Sequence, residues 1–200
     1  MLGDKTRIAV LVSGGGTNLQ ALIDAQGRGE IPDGEIALVV SNNPNAYALE
    51  RAARSGIETA VCTKPDMEKK ILETLQSHDI DMIVLAGFMA ILSKDFVSKY
   101  PERIINIHPS LIPSFCGEGF YGLHVHEAAL QYGVKVTGAT VHYENEIPDG
   151  GRIIAQKAVE IQEGDTPEIL QRRVMEQAEW ILLPKAAQIV SKRIRLEKIA

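Results

Sequence analysis

Short apolar runs alternate with amphipathic stretches along the first half of the chain, and this alternation restricts the fold more than any other feature. Four runs have the length of buried strands, at 8–12, 35–41, 59–62 and 82–86. Each is followed by a segment whose apolar residues have helical spacing, and a fifth run at 104–107 continues the series. Strand–helix alternation of this kind predicts an α/β fold, a doubly wound parallel sheet with helices on both faces.

The pattern changes after the fifth run. A glycine-rich aromatic loop at 115–122 leads into a predicted helix at 124–132. Residues 135–143 and 152–161 then have the composition of strands, joined by an acidic loop with a Pro-Asp-Gly turn. We therefore expect a mostly parallel sheet that ends in an antiparallel hairpin and a final helical segment.

Several residues predict where helices begin and end. Pro65 suits the first turn of one helix, and Ser93 is a plausible cap for the next. Thr166 followed by Pro167 predicts the start of the final segment. Pro184 predicts a break or kink within it.

Length and composition limit the class of protein. The 200 residues, 45% hydrophobic, suit one domain spanning 1–200. A net charge of −5 argues against nucleic acid as the main partner, because a phosphate backbone requires a basic face. Two cysteines favour a reducing compartment. The chain starts without the apolar core of a signal peptide and has no apolar run long enough to cross a bilayer, so we expect a cytoplasmic protein.

The first strand leads into the glycine-rich turn Ser-Gly-Gly-Gly-Thr-Asn at 13–18. Such a turn lets backbone N–H groups approach an anion at the positive end of a helix. Leu19 stands where a dinucleotide fingerprint requires its last glycine, so a small phosphate monoester fits better. Thr17 and Asn18 would add side-chain donors. The alternative is a tight turn that binds nothing.

The fifth strand carries the candidate chemistry in Asn-Ile-His-Pro-Ser at 106–110. Asn106 and His108 project to the same side of a strand, where an amide and an imidazole suit an oxyanion forming at a carbonyl carbon. Asp149 is the best candidate acid; a carboxylate beside His108 would favour the imidazolium and raise the pKa of the histidine. Glu144 and Glu146 are alternative acids. The simpler interpretation is that Asn106 and His108 only form hydrogen bonds with the loop that follows their strand.

The sequence offers little for metal binding or covalent catalysis. His124 and His126, two apart on a helix, point in different directions, and Cys62 and Cys116 are far from them in sequence. Neither cysteine lies in a nucleophile motif, so we expect no metal site. His142 lies on a strand and is either structural or a neighbour of the site.

Two further features lie at the carboxyl ends of strands. Lys64 stands where a cation could meet an acidic ligand tail, although by default it is a solvated lysine. The apolar loop at 87–92 is either packing or the wall of a pocket for a flat ring.

Taken together, these motifs resemble those of the phosphoribosylglycinamide formyltransferases, folate-dependent enzymes of purine synthesis, and the match runs essentially from end to end. The residues that carry it are Ser-Gly-Gly-Gly-Thr-Asn at 13–18, Leu-Ala-Gly-Phe-Met at 85–89, Ile-Asn-Ile-His-Pro-Ser-Leu-Ile-Pro at 105–113, Gly-Ala-Thr-Val-His-Tyr at 138–143, Asp-Gly-Gly at 149–151 and Ile-Ala-Gln-Lys-Ala-Val at 154–159.

The resemblance implies a Rossmann-like sheet that binds two small-molecule substrates side by side, glycinamide ribonucleotide and 10-formyltetrahydrofolate. The latter would be a co-substrate rather than a tightly bound cofactor, with no metal, and the protein would be a monomer or homodimer. The implied catalytic residues are Asn106, His108 and Asp149. The implied ribonucleotide contacts are Gly16, Thr17, Asn18 and Glu179. The implied folate contacts are Lys64, Met89, Ala90, Ile91, Leu92, Asn106 and the 145–151 loop.

Three departures from the family pattern lie near the pocket rim. The 115–122 loop is longer and richer in glycine than in many members. Ala90 stands where arginine is frequent, and Trp180 and Leu183 stand where histidine and tyrosine are frequent. The competing functions are a formyltetrahydrofolate hydrolase and a non-catalytic module that binds a phosphometabolite or folate.

Overall fold

A computed structural model describes residues 5–199 of the chain. The strands are β1 (Thr6–Val12), β2 (Gly34–Ser41), β3 (Glu58–Val61), β4 (Met82–Leu85), β5 (Ile104–His108), β6 (Val136–Tyr143) and β7 (Ile153–Glu160). The helices are α1 (Thr17–Gly27), α2 (Tyr47–Arg54), α3 (Met67–Ser77), α4 (Lys94–Ser98), α5 (Leu123–Tyr132), α6 (Pro167–Val174) and α7 (Trp180–Ile199), with a π-helical turn at Met175–Glu179 before α7.

The seven strands form one sheet in the order β3-β2-β1-β4-β5-β6-β7. β1 to β5 are mutually parallel, whereas β6 pairs antiparallel with both β5 and β7. The predicted doubly wound sheet with a C-terminal antiparallel hairpin and a final helical segment is therefore confirmed. The order of parallel strands reverses at β1 and β4, which opens a crevice beyond their carboxyl ends where ligands bind in folds of this kind.

Apolar residues cover both faces of the sheet, as the continuous hydrophobic strands require. On one face α1, α2 and α7 pack through Leu22, Ala52 and Val190. On the other face α3 and α4 pack through Leu75 and Phe96. These two layers fix the carboxyl ends of the strands and so fix the loops that follow them.

Two predicted helix starts are confirmed by their hydrogen bonds. Ser93 accepts from the backbone N–H of Phe96 at the start of α4, and Thr166 accepts from that of Ile169 at the start of α6. Pro167 occupies the first turn of α6, as predicted. Each cap satisfies a donor that a helix end leaves without an intrahelical partner.

Pro65 does not occupy the predicted place, and the predicted break at Pro184 is absent. Pro65 lies before α3 rather than in its first turn, because Asp66 adopts a left-handed conformation (φ 61°) and the helix starts at Met67. α7 also continues through Pro184 without a break. A proline removes one N–H and crowds the carbonyl four residues earlier. The irregular hydrogen bonding lies in the π-helical turn that ends at Glu179, one turn before the proline.

Among residues 5–199, no helix is both long enough and apolar enough to span a bilayer.

Candidate active site

The pairing of β5 with β6 brings the candidate residues together. Asn106 lies opposite His142, and His108 lies opposite Thr140. Since β5 ends at His108, its polar residues stand at the carboxyl edge of the parallel sheet, beside the crevice. His108 and His142 are buried, and Asn106 is half-buried. The antiparallel hairpin therefore adds an imidazole to the site that the parallel strands alone would lack.

Asp149 joins the two histidines. Its Oδ2 lies 3.5 Å from Nδ1 of His108, and its Oδ1 lies 3.4 Å from Nε2 of His142. Nε2 of His142 is also 3.4 Å from Nδ2 of Asn106. The three residues predicted to be catalytic thus belong to one cluster, in which His142 bridges Asn106 and Asp149.

The backbone of the 145–151 loop holds Asp149 in place. Asp149 has φ 55°, a left-handed conformation that aspartate tolerates better than most residues. Gly151 packs so closely on the carbonyl of Tyr143 that a Cβ there would overlap it. The N–H of Gly117 donates to Oδ2 of Asp149 at 2.8 Å. The carboxylate, whose side chain is 11% exposed, is therefore fixed by contacts from both sides.

The charge of His108 differs from the prediction. Both ring nitrogens face oxygen atoms, Nδ1 facing Asp149 and Nε2 lying 2.8 Å from the carbonyl of Phe115, and each contact favours the imidazolium. Burial outweighs them, and the pKa of His108 is lowered. The prediction of a raised pKa is wrong because sequence alone does not show how deeply the ring is enclosed.

The imidazole with the raised pKa is His142. Burial opposes its charge, but the contact with Asp149, the carbonyl of Tyr143 and the carboxylate of Glu144 together outweigh burial and raise the pKa. For Asp149, burial is likewise the largest single effect and opposes ionisation. The hydrogen bonds from His142 and Gly117 outweigh it and lower the pKa of Asp149. The cluster therefore favours an ionised Asp149 beside a protonated His142.

The start of the 115–122 loop covers this cluster. The carbonyl of Phe115 accepts from His108, and the backbone of Gly117 binds Asp149. The ring of Phe115 makes edge contacts with Phe120 and Tyr132, with centroids 6.3 and 6.0 Å away. The loop thus contacts His108 and Asp149 through its backbone and is anchored through its aromatic side chains.

The glycine-rich turn lies between β1 and α1, as predicted. Gly16 has φ 73°, and a Cβ there would lie 2.6 Å from Cβ of Ala48, so both its conformation and its packing require glycine. Asn18 donates to Oε2 of Glu179 at 2.7 Å. The structure therefore unites two of the predicted ribonucleotide contacts that are 161 residues apart.

Glu179 ends the π-helical turn and is buried, with 6% of its surface exposed. Burial raises the pKa of Glu179 to about 7 despite the hydrogen bond from Asn18. Thr17, the remaining predicted contact, lines a cavity of about 310 Å³ together with Arg51 and Trp180. A buried carboxyl beside a glycine-rich turn can accept hydrogen bonds from an amine while the turn binds a phosphate.

The residues predicted to bind folate have different surroundings. Met89 and Ile91 are 58% and 78% exposed at the edge of the crevice, and Ala90 between them is half-buried. Leu92 instead packs in the core with Phe96. Lys64 is exposed beyond the end of β3.

Two residues near the site make more contacts than the sequence predicts. His142, expected to be structural or a neighbour of the site, is a neighbour that contacts both Asn106 and Asp149. Ser13 has no predicted role of its own, yet its hydroxyl donates to Asn42 and accepts from the N–H of Met89, which ties together three strand-end loops. Antiparallel pairing of β5 with β6 places His142 opposite Asn106, so a prediction of that pairing would identify His142 as part of the site. Nothing in the sequence indicates the contacts of Ser13.

Comparisons with known proteins agree with the fold and the motifs. The family model described as formyl transferase matches residues 6–186. The phosphoribosylglycinamide formyltransferase of Haemophilus influenzae is 42% identical over 177 residues, which cover 86% of this chain and 81% of that protein. The human trifunctional purine biosynthetic protein adenosine-3 is 44% identical over 193 residues, or 94% of this chain, but this chain spans only 18% of its length.

Solved structures give the same result. Glycinamide ribonucleotide transformylase 1 from Symbiobacterium toebii superposes with a TM-score of 0.87 at 39% identity, covering 94% of this chain and 89% of that one. A formyltetrahydrofolate deformylase from Pseudomonas syringae superposes with a TM-score of 0.85 at 28% identity, covering 95% of this chain and 63% of that one. The same fold therefore occurs with both formyl transfer and formyl removal.

Proposed function

The chain belongs to the formyl transferase family, and we propose that it transfers the formyl group of 10-formyltetrahydrofolate to the amine of glycinamide ribonucleotide. The observation that carries this proposal is the cluster of Asn106, His142, Asp149 and His108 at the mouth of the crevice. The names of the most similar relatives support the same substrates. The products would be formylglycinamide ribonucleotide and tetrahydrofolate, an intermediate and a by-product of purine synthesis.

We assign the ribonucleotide to the part of the crevice next to the turn between β1 and α1. Its phosphate would accept hydrogen bonds from the turn at Gly16, Thr17 and Asn18, where the positive end of α1 favours an anion. Its amine would lie against the carboxylate of Glu179, which faces the same region through Asn18. An amine that binds as a cation would favour the ionised form of this buried carboxyl, and it would lose its extra proton to solvent before it attacks.

The folate is assigned to the crevice beyond β4 and β5. Met89, Ala90 and Ile91 would form one wall of the ring pocket, with Leu92 supporting that wall from the core. Asn106 would face the formyl group, and Lys64 would meet the acidic tail of the folate. Holding both substrates together removes the entropy cost of their encounter and contributes much of the rate enhancement.

In the reaction the amine nitrogen forms a bond to the formyl carbon, and the formyl oxygen becomes an oxyanion. Asn106 and the Nε2–H of His108 would donate to that oxygen. A neutral His108 with its proton on Nε2 still supplies this donor, so its lowered pKa is compatible with the role. The bond from carbon to the folate nitrogen then breaks, and that nitrogen takes up a proton originating from the amine.

Asp149 is the group we assign to this proton transfer, directly or through water. Its low pKa keeps it ionised and able to accept the proton that the attacking amine loses. The Nε2–H of His108 is donated to the carbonyl of Phe115 in the structure, so donation to the oxyanion requires the 115–122 loop to release that contact. We therefore place a loop movement before the chemical step.

A hydrolase is the second candidate, because the deformylase from Pseudomonas syringae has the same fold. Water would then replace the amine as the nucleophile. The paired Asn18 and Glu179 favour the transferase, since hydrolysis needs no carboxyl beside the phosphate-binding turn. A non-catalytic binding module is disfavoured by the complete cluster around Asp149.

The wider setting we propose is the cytoplasm, in which both cysteines, Cys62 and Cys116, would remain free thiols as they are in the structure. The reaction as written needs no metal. The partners we propose are the two small-molecule substrates, with no nucleic acid or membrane, and the protein is proposed to be a monomer or homodimer.

The test is to mix the purified protein with both substrates and follow tetrahydrofolate release, omitting each substrate in turn. We expect release only when the ribonucleotide is present and a loss of roughly 10²–10⁴-fold in His108→Ala. His124→Ala, an exposed histidine on α5, is the matched control and should retain full activity. Release without the ribonucleotide would establish a hydrolase, and tight binding of both ligands without release would establish a binding module.

A further inference from the structure

Glu144 is a carboxyl group that the proposed reaction does not use, although it lies against the catalytic cluster. It follows β6 directly, and its backbone N–H donates to the carbonyl of Ile104 at 2.9 Å, which fixes it against β5. Its side chain is only 15% exposed, and Oε2 lies 4.0 Å from Nδ1 of His142. This oxygen is buried without a hydrogen-bond partner. An unpartnered carboxylate oxygen facing an imidazole acts on it mainly through charge.

His142 has two alternative partners, and its proton decides between them. Nδ1 lies 2.8 Å from the carbonyl of Tyr143 and must carry a proton to bond it. Nε2 lies 3.4 Å from both Asp149 and the amide of Asn106. Without a proton, Nε2 accepts from the NH₂ end of Asn106. With a proton, it donates to Asp149 and also repels that NH₂ end.

The orientation of the amide matters because Asn106 is the proposed oxyanion donor. An amide has one donating end and one accepting end. When its NH₂ group faces His142, as it does in the structure, its oxygen is directed away and would repel an oxyanion. When Nε2 of His142 carries a proton, the oxygen of Asn106 turns toward it and the NH₂ group is released for the formyl oxygen.

We propose that Glu144 is a positioning residue: its carboxylate holds the second proton on His142, and protonated His142 orients Asn106 with its NH₂ group toward the formyl oxygen. This role rests on the proposed function, since it concerns the same oxyanion. Glu144 acts through His142 and touches no substrate.

The charges around Glu144 support this assignment. Among the described residues, the ionisable groups that act on Glu144 are His142 on β6 and Asp149 on the following loop. Burial raises the pKa of Glu144 to about 7; protonated His142 opposes that rise, and Asp149 adds to it. Ionised Glu144 faces Nδ1 of protonated His142, and ionised Asp149 faces its Nε2. On the far side of Asp149, Nδ1 of His108 lies 3.5 Å from Oδ2. Above a pH of about 7, Glu144 is therefore able to supply the charge that keeps His142 protonated.

The test compares the full-length protein with Glu144→Gln, which keeps the shape and removes the charge, and with Glu144→Asp, which keeps the charge. Glu163→Gln, an exposed glutamate after β7, is the matched control. Nitrogen-15 NMR of the imidazoles, in protein without substrates, reports whether His142 carries one or two protons as the pH is raised. The pH dependence of kcat for formyl transfer is then measured for all four proteins.

We expect His142 to lose its second proton at a lower pH in Glu144→Gln, with little change in Glu144→Asp and Glu163→Gln. At pH 7.5, kcat of Glu144→Gln should fall about tenfold, consistent with one unit charge at this distance, while both KM values stay within about twofold. An unchanged titration of His142 in Glu144→Gln would overturn the proposal. So would a fall in kcat that Glu144→Asp does not restore.

The two readouts separate this inference from the proposed function. If the wild-type protein shows the expected His142 titration but transfers no formyl group, the proposed function fails while the link between Glu144 and His142 stands. If the protein transfers the formyl group but the His142 titration is the same in Glu144→Gln, only the positioning role fails.

Discussion

Replacing Glu179 with glutamine should stabilise the protein while it weakens ribonucleotide binding. Glu179 is buried in the π-helical turn, and the only described hydrogen bond of its side chain comes from Asn18. Glutamine keeps the oxygen that accepts this bond and removes the charge that burial disfavours. The variant therefore separates the requirement for a buried carboxylate in binding from its effect on folding.

The magnitude follows from the pKa of Glu179, which burial raises from 4.5 to about 7. The difference of about 2.5 pH units corresponds to about 3 kcal/mol at 1.36 kcal/mol per unit. Because the folded state holds the proton more tightly, the wild-type protein loses this stability as the pH rises from 4.5 through 7. Glu179→Gln should thus be more stable by about 3 kcal/mol at pH 8.5 and nearly equal at pH 4.5.

Urea unfolding of both proteins at pH 4.5, 6, 7 and 8.5 measures this difference, and the melting temperature should rise by roughly 2–4 °C per kcal/mol. Glu176→Gln is the matched control, since Glu176 lies in the same π-helical turn but is exposed. It should change stability by less than about 0.5 kcal/mol at every pH. A Glu179→Gln variant that is no more stable at pH 8.5 than at pH 4.5, relative to wild type, would refute the reasoning.

The remaining predictions concern the glycine-rich turn, the carboxylate of Asp149 and a buried histidine. Gly16→Ala should weaken ribonucleotide binding at least tenfold in calorimetry and destabilise the protein by more than Gly56→Ala. Gly56 has a similar φ of 70° but open space around its Cβ position, whereas a Cβ at Gly16 meets Ala48. Asp149→Asn should lower kcat by roughly 10²–10⁴-fold with small changes in KM, and a loss below tenfold in steady-state assays would contradict its role in proton transfer. His126 is fully buried, and burial together with nearby His108 lowers its pKa to about 4. Since the unfolded chain protonates near pH 6.5, wild type should lose up to about 3 kcal/mol between pH 6.5 and 4, and His126→Leu should lose less of its stability over the same range in urea titrations.

The parts of this molecule that sequence predicted well depend on local pattern. Each apolar run of the first half became a strand within one or two residues of its expected bounds. The turn before Thr17 and the caps at Ser93 and Thr166 depend on chemistry within a few residues, which a sequence displays directly.

The charges of the candidate site are not local, and there the prediction failed. The rule that a carboxylate raises the pKa of a neighbouring histidine holds for His142, where contacts outweigh burial. It fails for His108, where the same carboxylate is opposed by stronger burial. Which effect is larger depends on how deeply the folded chain encloses each ring, and no sequence pattern reports that.

Pro184 is a similar case. Proline in a helix interior removes one hydrogen-bond donor; α7 nevertheless runs through Pro184 without a break, and the irregular hydrogen bonds lie in the turn before. That placement puts Glu179 at the end of the π-helical turn, within reach of Asn18. α7 packs against α1, which carries Asn18, so this contact joins segments that lie far apart in sequence.

The antiparallel pairing of β5 with β6 also determines where the connection between them can change in length. Register within the sheet is set by the paired strands, so residues added or deleted at 118–122 leave Asn106 opposite His142. A single insertion within β6 would instead reverse the faces of every residue beyond it. Phe115 and Gly117 are exceptions within the loop, since their backbones bind His108 and Asp149. Changes of length are therefore tolerated at the tip of the loop and excluded at its base.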